Sequence, residues 1–177
     1  MRSSLFTAVI LMTSVASAAS AQPPDANPYT SSVRRQFRGI SGIVTRAADK
    51  VPEEHYSFKP TPEVRSFAEI VGHLIDANWL LCRAAHENKF EIKRDHELKP
   101  GSKAELLAAW KKSIEYCESA FEATTDANGT TGVKLGGERL TPKLMVLASN
   151  NSHAWEHYGN LVTYMRLKGI VPPTSEK

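Results

Sequence analysis

The chain has 177 residues, enough for one domain that buries a full core without staples. Its 22 Lys and Arg stand against 19 Asp and Glu, a net charge of +3 with no basic cluster. That near-balance excludes nucleic acid and anionic membrane surfaces as expected partners, and two cysteines are too few for a disulfide scaffold.

The first 21 residues read as a secretory signal peptide. Arg2 supplies the basic start, Leu5 to Val15 a largely apolar run, and Ala16-Ser17-Ala18 and Ala19-Ser20-Ala21 two small-x-small sites. The apolar run is too short to span a bilayer, so cleavage after Ala21 is expected. The domain then covers 22–177, with no second run of membrane length, and the expected compartment is the bacterial periplasm. Loss of Arg2 leaves 21 basic against 19 acidic residues, a net charge of +2.

Four helices follow, with no alternating run that predicts a strand. The first runs from about Pro28 to Lys50, capped by Asn27 with proline at its first position, and Val33, Phe37, Ile40, Val44 and Ala47 form its apolar stripe. Three prolines make Val51 to Arg65 irregular. The second helix begins at the capping box Ser66-Phe67-Ala68-Glu69 and reaches about Glu87, with Phe67, Ile70, Val71, Leu74, Ala77, Asn78, Leu81 and Ala85 inward. Ser102-Lys103-Ala104-Glu105 repeats the box and opens the third, whose stripe is Leu106, Trp110, Ile114, Cys117 and Phe121. A Gly/Thr-rich loop from Ala123 to Leu140 carries the turn signal Asn128-Gly129. The fourth helix is expected to start with Thr141 as cap and Pro142 in its first turn, and to stop at Gly169 before Pro172-Pro173. The tail from Thr174 is expected to fray. The fold class is an all-α four-helix bundle.

His153 and His157 lie four residues apart on the last helix, so both imidazoles can reach one ion. Val146, Asn150, His153, His157 and Tyr164 border the apolar stripe, which turns the pair inward. The run His153-Ala154-Trp155-Glu156-His157 fits the H-x-x-E-H zinc-peptidase spacing. That chemistry needs a third, acidic ligand downstream, and the sole acidic residue after His157 is Glu176. Glu156 therefore reads as a solvated carboxylate or a group beside the histidines. His55, His86 and His96 lie in loops or at a polar helix end and read as surface residues. His73 sits on the second helix beside the core face. Alone it reads as a hydrogen-bonded histidine at a core edge; against the inward pair it is the natural third ligand.

The stretches "VPEEHYSFKPTPEVRSFAEIVGHLIDAN" (51–78) and "HAWEHYGNLVTYMRLKGIVPP" (153–173) resemble the DinB-like (DinB/YfiT-type) metalloenzyme superfamily. The family pattern is a histidine early in the second helix, then H-x-x-x-H-x-G-x-L-x-x-Y-x-R-x-x-G-x-x-P-P. Here those residues are His73, His153, His157, Gly159, Leu161, Tyr164, Arg166, Gly169, Pro172 and Pro173. The resemblance implies a bundle in up-down-down-up order whose three histidines hold a divalent metal in a cleft. Zinc and nickel are the first candidates, and three imidazoles also suit iron or copper.

That topology makes the second and third helices parallel. Cys82 lies 16 residues after Ser66 and Cys117 lies 15 after Ser102, so both thiols fall at one height. The connection Asn88 to Gly101, at about 3.3 Å per residue, is long enough to return along the helix. A Cys82–Cys117 disulfide is expected in an exported protein; the alternative is two free thiols packed as small apolar groups.

Some relatives in the superfamily are thiol-dependent S-transferases or isomerases. The resemblance therefore implies that the open coordination position takes a thiol. Asp76, Glu156 and Tyr164 are the candidates for supporting the ligands. Two other readings stand beside it: hydrolysis by metal-activated water, and a non-catalytic metal- or partner-binding bundle. The partners expected are a small-molecule substrate and a second copy of the chain in a homodimer.

Overall fold

Helix caps decide where the elements begin. The computed structural model describes residues 24–176, so the leader-like segment lies outside the described residues. The order is α1 (Pro28–Lys50), α2 (Phe67–Glu87), α3 (Asp95–Leu98), α4 (Lys103–Glu122), β1 (Gly132–Lys134), β2 (Leu140–Pro142) and α5 (Lys143–Leu167). Ser66 and Ser102 both accept from the backbone N–H three residues on, and Glu69 and Glu105 reach back to the cap N–H, closing two capping boxes. At the far end of α5, Gly169 adopts a φ of +72°, the left-handed turn that releases the chain, and Ile170 N–H donates to the Met165 carbonyl at 2.9 Å.

The four long helices share one core. Ile40 and Val44 of α1, Val71 and Leu74 of α2, Trp110 of α4 and Leu161 of α5 belong to a single buried cluster. A second cluster joins Phe37, Cys82, Phe121, Val146 and Leu147. Residue pairings give the helix directions. Asn78 meets Ser113 and Cys82 meets Cys117, so α2 and α4 advance together. Arg34 meets Glu118 while Thr45 meets Trp110, so α1 runs against α4. His73 meets His153 and Asn78 meets Asn150, so α5 runs against α2. The two cysteines form a disulfide with a Cα–Cα separation of 5.2 Å, buried among α2, α4 and α5.

Four features depart from the sequence reading, beginning with α3, a helix of 4 residues inside the expected connection. The Gly/Thr-rich loop contains an antiparallel ladder, Gly132 to Pro142 through Lys134 to Leu140, where no strand is expected. Each strand has only three residues, too few for an alternating pattern to register, and the buried Val133 anchors the pair to the core. Thr141 belongs to that ladder rather than capping a helix, and Pro142 takes the cap position of α5. Nor do Thr174 to Glu176 hang free: Thr174 hydroxyl bonds Tyr158 Oη at 2.9 Å, and Lys50 pairs with Glu176 at 2.6 Å.

Candidate metal centre

α2 supplies His73, and α5, running against it, supplies His153 and His157 one turn apart. His153 Nε2 lies 3.0 Å from His73 Nε2 and 3.1 Å from His157 Nε2. The ring centroids form a nearly equilateral triangle with sides of 4.9, 4.7 and 4.6 Å. Among the described residues these three histidines make the one group whose ligand atoms converge closely enough for an ion.

The donor set fits a divalent cation. Metal–nitrogen bonds of about 2.05 Å in a tetrahedral site put neighbouring nitrogens about 3.3 Å apart, close to what the histidines show. Ligation also requires neutral imidazole. Burial pushes His157 down to about 4, helped by the neighbouring His153 and His73. Burial, then His73, lowers His153. Both rings are therefore uncharged at pH 7. Lone pairs crowded this tightly repel one another unless a proton or a cation sits among them.

Tautomers follow from the outer nitrogens. His73 Nδ1 lies 2.9 Å from Glu97 Oε2, so its N–H donates to the carboxylate and Nε2 is left as acceptor. His157 Nδ1 lies 3.2 Å from Asn160 Nδ2. The two faces of an amide are assigned by its hydrogen bonds; turned so that Oδ1 accepts from Nδ1–H, Asn160 frees His157 Nε2 for a metal. His153 Nδ1 is buried and has no partner among the described residues, so its tautomer is not fixed from outside.

Glu97 is the residue the sequence reading missed. It sits on α3, in the connection that returns over α2, and its side chain is only 5% exposed. Arg94 donates to both its oxygens at 2.6 and 3.0 Å, and Arg65 Nε donates to Oε1 at 2.8 Å. The Arg94 hydrogen bond, with Arg65 and His73 behind it, holds its carboxyl well below the usual carboxylate range despite burial. The carboxylate therefore stays charged and keeps His73 oriented.

Asp76, a candidate for that role, acts one step further out. It makes no hydrogen bond with His73 among the described residues; its oxygens accept from the His96 and Glu97 backbone N–H groups at 3.1 and 2.9 Å and from His96 Nδ1 at 2.7 Å. His96 is thus tied down rather than a free surface residue. Gly72 completes the clamp. A Cβ there would run into the His96 carbonyl, so only glycine lets α3 press onto α2 beside His73. Glu156 is exposed and makes no hydrogen bond among the described residues, so its support of the ligands is not seen. Tyr164 is buried, but its hydroxyl donates to the Arg65 carbonyl at 2.7 Å instead of to a histidine.

Two cavities open on the triad. One, about 680 Å³, reaches His157 and is walled by Arg65, Glu97, Asn160, Thr163 and Tyr164. The other, about 310 Å³, reaches His73 and His153 and is walled by Ala77, Leu80, Leu81 and Ile92. Arg94 and Glu97 border both.

A family model described as the DinB superfamily matches residues 36–161. An uncharacterized protein of Bacillus subtilis (strain 168), YjoA, is 23% identical over 139 residues, 75% of this chain and 86% of its own. A DinB-like protein from Bacillus cereus ATCC 10987 superposes with a TM-score of 0.70 at 19% identity, covering 81% of this chain and 95% of the other. The structure of YjoA gives 0.64 at 21% identity over 78% and 92%. A mycothiol-dependent maleylpyruvate isomerase gives 0.62 at 14% identity over 75% and 60%. At these identities the structural likenesses speak for the fold.

Proposed function

The chain belongs to the DinB superfamily, and from that premise we propose that it holds one divalent metal ion on His73, His153 and His157 and acts on a small molecule there. The convergence of three Nε2 atoms beside two cavities carries this reading. When bound, such an ion supplies Lewis-acid chemistry at its open positions, acidifying a thiol or a water. Glu97 keeps His73 in the ligating tautomer, and the Arg65 and Arg94 guanidinium groups hold that carboxylate charged. Leu80 and Leu81 give the smaller cavity an apolar wall that limits water. A fold neighbour described as mycothiol-dependent supports testing a low-molecular-weight thiol among the small molecules. The leader-like residues 1–21 and the Cys82–Cys117 disulfide support an exported, oxidising location.

Elemental analysis of the purified protein tests the reading. About one divalent ion per chain is expected, lost in His73→Ala and in His157→Ala. Absence of stoichiometric metal from the wild type, or variants that retain it, overturns the proposal.

A further inference from the structure

The two cavities at the triad differ in chemistry, and the difference names a ligand class. In the larger one, most polar side chains are already engaged within the protein. Arg94 is bound to Glu97 through Nε and Nη2, Tyr164 donates to the Arg65 carbonyl, and Thr163 hydroxyl donates to the Gly159 carbonyl. Arg65 is the exception. Its Nε is fixed on Glu97, while its two Nη nitrogens have no partner among the described residues. A guanidinium oriented through Nε presents those nitrogens as a fork, the geometry that matches a carboxylate or phosphate. Glu63 also lines this cavity and carries the opposite charge, but it is exposed to solvent. The smaller cavity has an apolar wall of Ala77, Leu80, Leu81 and Ile92, with Lys93 and Ser149 at its border; Asp76 also lines it, but its carboxylate is engaged by His96 and the Glu97 N–H.

We propose that the ligand is a small amphipathic anion, its carboxylate or phosphate head on the Nη fork of Arg65 and its apolar body in the pocket formed by Ala77, Leu80, Leu81 and Ile92. Arg94 and Glu97 border both cavities, with His157 lining the larger and His73 and His153 the smaller, so a ligand reaching from Arg65 to the apolar wall would lie beside the triad. The metal reading of those histidines sets where reaction occurs on this ligand; the head and body preferences belong to Arg65 and the apolar wall alone.

Calorimetric titration with octanoate, octyl phosphate, octanamide and butyrate tests this, on zinc-loaded protein and on protein stripped with chelator. Either octanoate or octyl phosphate, whichever head the fork prefers, is expected to bind about tenfold or more tightly than octanamide, as a charge-assisted fork contact implies. Butyrate is expected to bind much more weakly than octanoate, at roughly fourfold per buried methylene. Arg65→Gln, which keeps a donor for Glu97, removes the preference for the charged head, and Ala77→Leu, which narrows the pocket, removes the preference for the longer chain. Equal affinity for octanamide and both anions, or for octanoate and butyrate, overturns the proposal in either metal state. Failure to take up zinc sinks the metal reading instead, and the stripped-protein titration still decides this one.

Discussion

Two polar layers cross the bundle a single turn apart, on the same pair of helices, and they are built on opposite rules. In one, Asn150 Nδ2 donates to Asn78 Oδ1 at 2.8 Å, Asn78 Nδ2 donates to Ser113 Oγ at 3.0 Å, and the disulfide lies against the same carboxamide. Every side chain in that layer is at most 3% exposed and has a partner within the protein. In the other, His73 and His153 are only half-buried, three ring nitrogens converge, and two cavities open beside them. Burial without hydrogen bonds is costly, so a layer that satisfies itself serves the fold, whereas one whose ring nitrogens converge beside open cavities has room for a partner from outside.

Separate substitutions in the two layers should separate stability from ligand binding. The largest effect is expected from His153→Ala: with two ligands left, metal uptake measured by calorimetry should drop well beyond the about 10–100-fold loss that an outer-partner mutation brings. Thermal stability of the metal-free protein should hardly change. The double substitution Cys82→Ala, Cys117→Ala should do the reverse. The disulfide spans a sequence separation of 35 residues, and removing it should lower the unfolding free energy by about 4 kcal/mol, measured by denaturant titration, with metal stoichiometry unchanged. If metal uptake fell with the disulfide, the two layers would be one unit and the contrast would fail.

Glu97→Gln comes next. It retains the shape but weakens the acceptor for His73 Nδ1 and uncouples two arginines, so metal affinity should drop about 10–100-fold. Asp76→Asn should give a smaller loss in the same direction, because it acts on His73 only through the backbone of α3.

The smallest expected effect is the pH response of metal-free protein. Folded His153 and His157 lie below the ordinary histidine value of 6.5, the latter at about 4. As pH falls through this window the unfolded chain takes up protons first, so the folded state loses stability from about 6.5 downward and regains it as pH rises. Glu97, depressed below 4.5, adds a further loss of the same sign under more acid conditions. Bound metal should suppress the histidine part, and a melting temperature that is flat between pH 7 and 5 in chelator would contradict it.

Much of this was legible from local pattern. Capping boxes, which are contiguous signals, place the starts of α2 and α4, while a proline at the first position and a periodic stripe place α1. The triad was legible because two of its members share a helix face and the third lies on a stripe of its own. Glu97 was not, since its role depends on how Asn88 to Gly101 folds back, and no period marks that segment. The acidic residue in Arg94-Asp95-His96-Glu97 was visible; the clamp of Gly72 and Asp76 that brings it to His73 was not. Thr174 and the short ladder at Val133 failed for the same reason: each is held by a partner remote in sequence or too brief to show alternation.

The triangular set of the imidazoles has a consequence for choosing among ions. Three imidazoles whose ring centroids lie at near-equal spacing can cap one face of a coordination sphere, leaving the opposite side open. Tetrahedral and octahedral ions accept such a face, while a square-planar one needs ligands disposed across it. Copper(II), which outcompetes zinc on affinity alone, would have to deform helices fixed by a disulfide and two polar layers. Discrimination in this protein would then be a matter of scaffold stiffness, with the bundle rejecting by shape an ion that its donor atoms would otherwise prefer.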